Sequence, residues 1–186
     1  MTTANILVRL SSVLRADQSG VAAVEFALVL PVMLLFSLGI AEVGRFALLT
    51  LKLQHAATTM ADLASRDDEI GDASVPPLFG AMAHVVQPFD LADQGVVILS
   101  AVIADGGDPP SVCRQWQGAG SLGETSRIGN EAGAATLPDD LGLRADESVI
   151  VAEVMFRYQP WLLGLVPETL LRRVAFFRPR LATPCA

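Results

Sequence analysis

The sequence predicts an α+β fold in which one long N-terminal helix, half in a membrane and half outside it, packs on a small, mostly antiparallel sheet. One long apolar stretch near the N-terminus continues into a segment with helical periodicity. Downstream, short runs rich in β-branched and aromatic residues are separated by segments rich in Gly, Pro and Asp, which is typical of strands and loops.

The apolar stretch is long enough to cross a bilayer. No charged residue occurs in the range 26–41, and only Glu25 interrupts the run that begins at Val21. The resulting length of about 21 residues matches the ~20 residues that a helix needs to cross the hydrocarbon core. Arg9 and Arg15 precede the run, and this positive charge predicts a cytoplasmic N-terminus and an exported C-terminal domain.

The helix is expected to continue beyond the membrane with one apolar side. Apolar residues recur there at alternating spacings of three and four and define a helical seam. The seam consists of Phe46, Leu49, Leu53, Ala56, Met60 and Leu63. Either the sheet of the same chain or a partner helix can cover it. Pro31 removes one backbone hydrogen bond and predicts a bend in the membrane half.

The acidic, Gly- and Pro-containing segment at 66–77 ends this helix, which is then roughly 45 residues long. The segment 75–86 predicts a short second helix. Strands are predicted at 95–104, 148–158 and 173–180, and the segment between the first two is predicted to be a long loop region.

The strand predicted at 148–158 shows the clearest alternation. Glu153 and Arg157 lie on one face of it. The other face is apolar and consists of Ile150, Ala152, Val154, Phe156 and Tyr158. We therefore expect the apolar face to pack on the long helix.

Charge and cysteine usage limit the class of protein. The net charge is −7 and no basic cluster is present, which argues against a nucleic-acid partner. Residues 67–147 are acidic, whereas residues 148–186 carry five arginines against two acids. Solvated loops beside an Arg-bearing sheet, or head-to-tail matching between subunits, can explain this asymmetry. Export favours a disulfide between Cys113 and Cys185, two free thiols being the alternative.

No catalytic, cofactor or metal site is predicted. The segment GAGSLG at 118–123 matches a dinucleotide-binding pattern, but it lacks the required strand and helix around it. His55 and His84 have no ligand spacing, and the acidic segment at 66–69 does not match a calcium loop.

The N-terminal segment resembles the TadE-like family, the minor pilins or pseudopilins of the tight-adherence (Flp-type) pilus system. The resemblance is carried by GVAAVEFALVLPVMLLFSLGIAEVGR, residues 20–45. Its signature residues here are Gly20, Glu25, Phe26, Pro31, Glu42, Gly44 and Arg45. The segment VAEVMFRYQPWL at 151–162 and the Arg-rich last strand also resemble the family, although more loosely.

The resemblance implies a type IV pilin-like fold and maturation by prepilin peptidase. The peptidase would cut between Gly20 and Val21, and Glu25 with Phe26 would serve recognition and assembly. A carboxylate inside a bilayer costs roughly several kcal/mol unless it has a partner. After the cut, Glu25 would lie about 6 Å from the new N-terminus, where the amine of a neighbouring subunit can pair with it.

The expected product is a structural subunit of the bacterial inner membrane, possessing no enzymatic activity and acting in a hetero-oligomer. We expect four parts: a leader at 1–20, a transmembrane segment at 21–41, an exported helix at 42–65 and a periplasmic domain at 66–186. Expected partners are the peptidase, a sister pseudopilin, the pilus assembly platform and membrane lipid. Alternatives are an unprocessed single-pass anchor with a periplasmic binding module and a tethered periplasmic enzyme.

Overall fold

The described residues form one long helix, two short helices and a four-stranded sheet. The structure is a computed structural model and describes residues 19–67, 70–105, 109–138, 141–180 and 185. The helices are α1 (Ser19–Ser65), α2 (Val75–Val86) and α3 (Leu91–Gln94). The strands are β1 (Gly95–Ile103), β2 (Ser111–Gly118), β3 (Ser148–Tyr158) and β4 (Thr169–Phe177). The predicted α+β fold with one long N-terminal helix is confirmed.

The sheet is antiparallel throughout and has the strand order β2-β1-β3-β4. Leu99 in β1 lies opposite Trp116 in β2 on one side and opposite Ala152 in β3 on the other. The two apolar runs that predicted central strands, β1 and β3, therefore pair with each other in the middle. Their side chains are buried on both faces of the sheet, apart from the strand ends and Arg157.

The prediction of an uninterrupted loop region at 105–147 is wrong, because this region contains β2. The strand SVCRQWQG is rich in polar residues, and its burial pattern is mostly intermediate. It pairs with β1 and lies at the edge of the sheet. Arg114 and Gln117 are exposed there. An edge strand that is partly in contact with solvent carries polar residues, which explains why its sequence shows only a weak apolar pattern.

The last strand begins earlier than predicted. It was expected at 173–180, whereas β4 starts at Thr169, opposite Tyr158, and ends at Phe177. Pro179 follows the last paired residue by two positions, as expected for a residue that cannot donate to the ladder. The start was missed because residues 170–173 (LLRR) do not alternate between apolar and polar side chains.

One face of the sheet is covered by helices. The C-terminal half of α1 packs against β3 and β4, and α2 packs against α1. The predicted second helix is confirmed, and its two prolines lie in the first turn, where the backbone N–H groups have no partner within the helix. The apolar face predicted for β3 lies in this core together with the buried residues of α1.

The other face is covered by the connection between β2 and β3. Ile128 and Leu122 from this connection are buried against β1 and β3. Glu153 also lies on this face and is completely buried. Its carboxylate accepts hydrogen bonds from the Ser126 hydroxyl, the Arg127 backbone N–H (3.2 Å) and the Arg172 guanidinium. Irregular chain thus forms a third layer of the domain.

Candidate functional site

The candidate peptidase and assembly residues lie in the first turns of α1. Gly20, Val21, Glu25 and Phe26 are helical and exposed to solvent, Phe26 by 67%. Within the described residues, Glu25 makes no ion pair or hydrogen bond. The leader predicted at 1–20 lies outside the described residues up to position 18. The structure therefore presents the Glu25 carboxylate on an uncovered apolar helix.

The first half of α1 is long and apolar enough to cross a membrane. Its best 18-residue window has a mean hydropathy of 2.4, and none of that window is buried in the protein. The apolar side chains from Val21 to Ile40 are exposed instead. Pro31 lies within the helix, which continues through it. A helix of this composition needs an apolar environment that the chain itself does not supply.

The second half of α1 has one buried face. Leu49, Leu53, Ala56 and Met60 of the predicted seam are fully buried, and Phe46 is partly buried against the same core. Leu63 differs, because it is 39% exposed, whereas Ala64 is buried. A seam spaced at 3.5 residues drifts around a helix of 3.6 residues per turn, by about 20° per heptad. The buried stripe therefore reaches Ala64 instead of Leu63.

Glu42 lies at the junction between the exposed and the packed halves of α1. It is completely buried, and its Oε2 accepts a hydrogen bond of 2.9 Å from the backbone N–H of Leu163. Leu163 belongs to the β3–β4 loop (159–168). The second signature carboxylate thus connects the long helix to a loop 121 residues away in sequence. Glu42 is buried and hydrogen-bonded, whereas Glu25 is exposed.

Tyr158 extends this contact at the end of β3. Its ring packs edge-on against Phe46 at a centroid distance of 5.1 Å. Burial raises the pKa of the Tyr158 phenol, and the nearby Glu42 carboxylate raises this pKa further, whereas Arg45 lowers it. Within the described residues, the Tyr158 hydroxyl and Glu42 Oε1 are buried and have no hydrogen-bond partner. The phenol therefore stays protonated beside the carboxylate.

Arg45, the last signature residue, holds aromatic side chains from two other elements. Its guanidinium lies 5.4 Å from the ring centre of Phe89 and 5.6 Å from that of Trp161. Such cation–π contacts contribute about 0.5–2 kcal/mol, depending on how far they are desolvated. Trp161 is in the β3–β4 loop, so Glu42 and Arg45 hold the same loop at two points.

An apolar groove runs between the β3–β4 loop and α1. Its volume is about 790 Å³. Leu163 and Leu165 form one wall, and the opposite wall comes from α1. The helical lining residues are Val32, Leu35, Phe36, Gly39, Ile40, Val43 and Gly44. Among the described residues, no charged side chain lines the groove, which begins inside the predicted transmembrane segment.

The predicted disulfide is present. It joins Cys113 in β2 to Cys185 near the C-terminus, with 5.7 Å between the two Cα atoms. A hydrogen bond forms a second connection: the backbone N–H of Arg180 donates to the carbonyl of Ser65 at the end of α1. The segment after β4 is therefore connected both to the edge strand and to the long helix.

Sequence reasoning identified Glu42 and Arg45 as signature residues but assigned them no contacts. It did not identify Trp161 and Leu163 as site residues. Their signal was the apolar run WLLGLV between two strands, which is unusual for an exposed loop. Among the described residues, no group of three His, Cys, Asp or Glu side chains is placed to hold a metal ion, and His55 and His84 are exposed.

A family model described as TadE-like protein matches residues 20–62. The matched region covers α1 except for its ends and includes Glu25, Glu42 and Arg45. The resemblance expected from the sequence is thereby confirmed over this helix. No curated protein and no solved structure matches the chain.

Proposed function

We propose that this chain, which carries the TadE-like sequence over residues 20–62, is a minor pilin or pseudopilin that takes part in assembly of a Flp-type (tight-adherence) pilus. The family match and the apolar N-terminal helix fit a membrane protein associated with the tight-adherence pilus. The protein has a structural role in this proposal, anchored in the bacterial inner membrane with its C-terminal domain in the periplasm.

The observation that carries the proposal is the Glu25 carboxylate on the exposed apolar half of α1. In a membrane protein that acts alone, this charge would cost roughly several kcal/mol and have no local compensation. In a helical assembly, the free amine of a neighbouring subunit compensates it. A free amine lies near the level of Glu25 only if the leader is removed, because Val21 is then the N-terminal residue of the helix.

Prepilin peptidase supplies that amine by cutting after Gly20. Gly20 and Val21 lie in the first turns of α1, and both are exposed with respect to the described part of the chain. Glu25 and Phe26 follow on the same exposed segment. The peptidase, the sister pseudopilin, the assembly platform and membrane lipid are the partners in this proposal, and the working unit is a hetero-oligomer.

Substituting Gly20 tests this proposal without disturbing the packed domain. An added Cβ at Gly20 meets no atom within 4 Å, and the same holds for Gly80 in α2. Gly20→Val should therefore leave the fold unchanged, and it should block cleavage because the proposed peptidase subsite accepts a small residue at this position. Gly80→Val is the matched control. Mass spectrometry of the membrane fraction should find a precursor that retains residues 1–20 in the first variant and the shortened chain in the second.

Two results would count against the proposal. An intact N-terminus in the wild-type protein would support the alternative of an unprocessed anchor that presents a periplasmic binding module. Normal shortening of the Gly20→Val variant would show that a protease of different specificity acts on the chain.

A further inference from the structure

We propose that the β3–β4 loop is a second membrane contact, which inserts Trp161, Leu163 and Leu165 into the periplasmic leaflet beside α1. This inference rests on the proposed function, because it requires α1 to span the membrane. It adds a lipid-binding site in the C-terminal domain, far from the peptidase and assembly residues in sequence.

The loop exposes more apolar surface than a water-facing connection needs. Four apolar side chains within five residues are 40–65% exposed, and Trp161 is the most exposed of them. They are Trp161, Leu162, Leu163 and Leu165. Gly164 has a φ of +65°, so the chain turns between the two leucines that line the groove. The turn presents both leucines toward α1 and its surroundings.

Three contacts set the height of the loop along α1. The Leu163 N–H is bound by Glu42, and the Trp161 ring lies over Arg45. Leu165 reaches the level of Gly39, where its Cδ1 would lie 3.2 Å from an added Cβ. The loop therefore descends along the helix from Arg45 to Gly39.

This height matches the border of the bilayer. Gly39 and Ile40 lie inside the predicted transmembrane segment, and Arg45 lies outside it. Six residues of α-helix separate Arg45 from Gly39, which corresponds to about 9 Å. Side chains of interfacial segments reach about 5–10 Å into the boundary between headgroups and acyl chains. Tryptophan is enriched at the headgroup level, where Arg45 would hold it.

Lipid fits this groove because the groove is continuous with the apolar half of α1. Every helical lining residue from Val32 to Ile40 is part of the predicted span. A bilayer that surrounds this span also surrounds Leu163 and Leu165 at the same depth. Glu42 removes one obstacle to insertion, since it satisfies a loop N–H that would otherwise face an apolar environment.

Fluorescence of single-tryptophan variants tests the insertion in the full chain. The chain has two tryptophans, so Trp116→Phe leaves Trp161 as the only emitter, and Trp161→Phe leaves Trp116. Trp116 is far from the loop and serves as the internal reference. It lies at the level of Ala152 in the sheet, which is six residues, or about 20 Å, along β3 from Tyr158. Each variant is reconstituted into phosphatidylethanolamine and phosphatidylglycerol vesicles with brominated acyl chains.

We expect bromine near the top of the acyl chains to quench most of the Trp161 emission and to leave Trp116 emission unchanged. Leu165→Asp should restore the Trp161 emission, because the charge opposes insertion of the loop. Leu51→Asp is the matched control, since Leu51 is similarly exposed but lies on the exported half of α1. It should leave the quenching unchanged.

Quenching of Trp161 no stronger than that of Trp116 would overturn the proposal. This includes the case in which a second copy covers the groove, which would be recognised by disulfide-linked dimers of a Leu165→Cys variant. A separate probe reports on the span: Leu28→Trp in a chain whose own tryptophans are replaced by Phe. If that probe is quenched and Trp161 is not, the anchor holds and the loop insertion fails. If neither is quenched, the anchor fails as well.

Discussion

The acidic side chains of this protein illustrate how far the environment decides the role of one residue type. Glu25 and Glu42 lie on the same helix and belong to the same signature, yet Glu25 is exposed and Glu42 is fully buried. Glu25 makes no ion pair or hydrogen bond within the described residues. Glu42 accepts a hydrogen bond within its own chain and positions the β3–β4 loop.

Glu153 is a third case, in which a carboxylate holds the covering layer of the sheet. It is completely buried and lies 2.6 Å from the Arg172 guanidinium. Ser126 and the backbone N–H of Arg127 complete its hydrogen bonds. Loss of this buried carboxylate would leave its donors without an acceptor in a low-dielectric environment.

Glu153→Ala should destabilise the protein by about 3 kcal/mol, because it leaves a partly buried guanidinium and two loop donors without their acceptor. Glu124→Ala is the control, since the Glu124–Arg157 pair is solvent-accessible and 3.5 Å long. Removing such a pair costs less than about 1 kcal/mol. Urea unfolding of the detergent-solubilised chain measures both. Equal losses would contradict the role assigned to Glu153.

Among the elements, the edge strand and the C-terminal segment depend on each other. β2 is the edge strand beside β1, its outer side is bridged only at its start, by Ser111 to Ala134 among the described residues, and its sequence is largely polar. The disulfide from Cys113 connects this weakly packed strand to Cys185 across 72 residues of sequence. A cross-link over a loop of that length restricts the unfolded chain considerably.

Removing this cross-link should lower stability by about 2–4 kcal/mol. We expect dithiothreitol to lower the Tm of the wild-type chain. A Cys113→Ser, Cys185→Ser double variant should have the lower Tm from the start and show no further response to the reductant. A Tm of the wild type that is insensitive to full reduction, verified by thiol labelling, would contradict this expectation.

Across the whole molecule, part of the uneven charge is paired within the chain. Four arginines of residues 148–186 form ion pairs at distances of 2.6–3.6 Å. The pairs are Arg157–Glu124, Arg172–Glu153, Arg178–Glu147 and Arg180–Asp62. Two of them, those of Glu124 and Glu147, join the acidic region 67–147 to the Arg-bearing region within one subunit.

The two halves of α1 differ in what covers their apolar side chains. The C-terminal half of α1 is covered by its own sheet, so the domain supplies its own core. The first half of α1 has no such cover and carries Glu25. Association with partners should therefore depend on the first half more than on the buried seam.

Glu25→Ala should weaken association with a sister pseudopilin and leave membrane insertion intact. Removing one member of a desolvated charge pair costs about 2–5 kcal/mol, so co-purification should fall by about tenfold or more. Val24→Ala is the control, because Val24 is a neighbouring exposed residue without a charge. Unchanged recovery of partners with Glu25→Ala would show that Glu25 has no pairing role.

The sequence by itself determined the long helix, α2, β1 and β3, since each has a strong apolar pattern with a clear period. It also determined the family resemblance and the cysteines available for a disulfide. It did not reveal β2, because an edge strand that is half in solvent needs no strong apolar alternation. It placed the seam at Leu63 because sequence spacing does not show the drift of a straight helix.

Only the tertiary structure decided what the signature residues contact. The hydrogen bond from Leu163 to Glu42 and the stacking of Trp161 on Arg45 join segments that lie more than 100 residues apart. Local periodicity carries no information about such pairs, because they depend on how β3 and β4 pack against α1. The membrane contact proposed for the apolar β3–β4 loop depends on that packing. It places the loop beside α1, which is the one helix among the described residues that is long and apolar enough to cross a membrane.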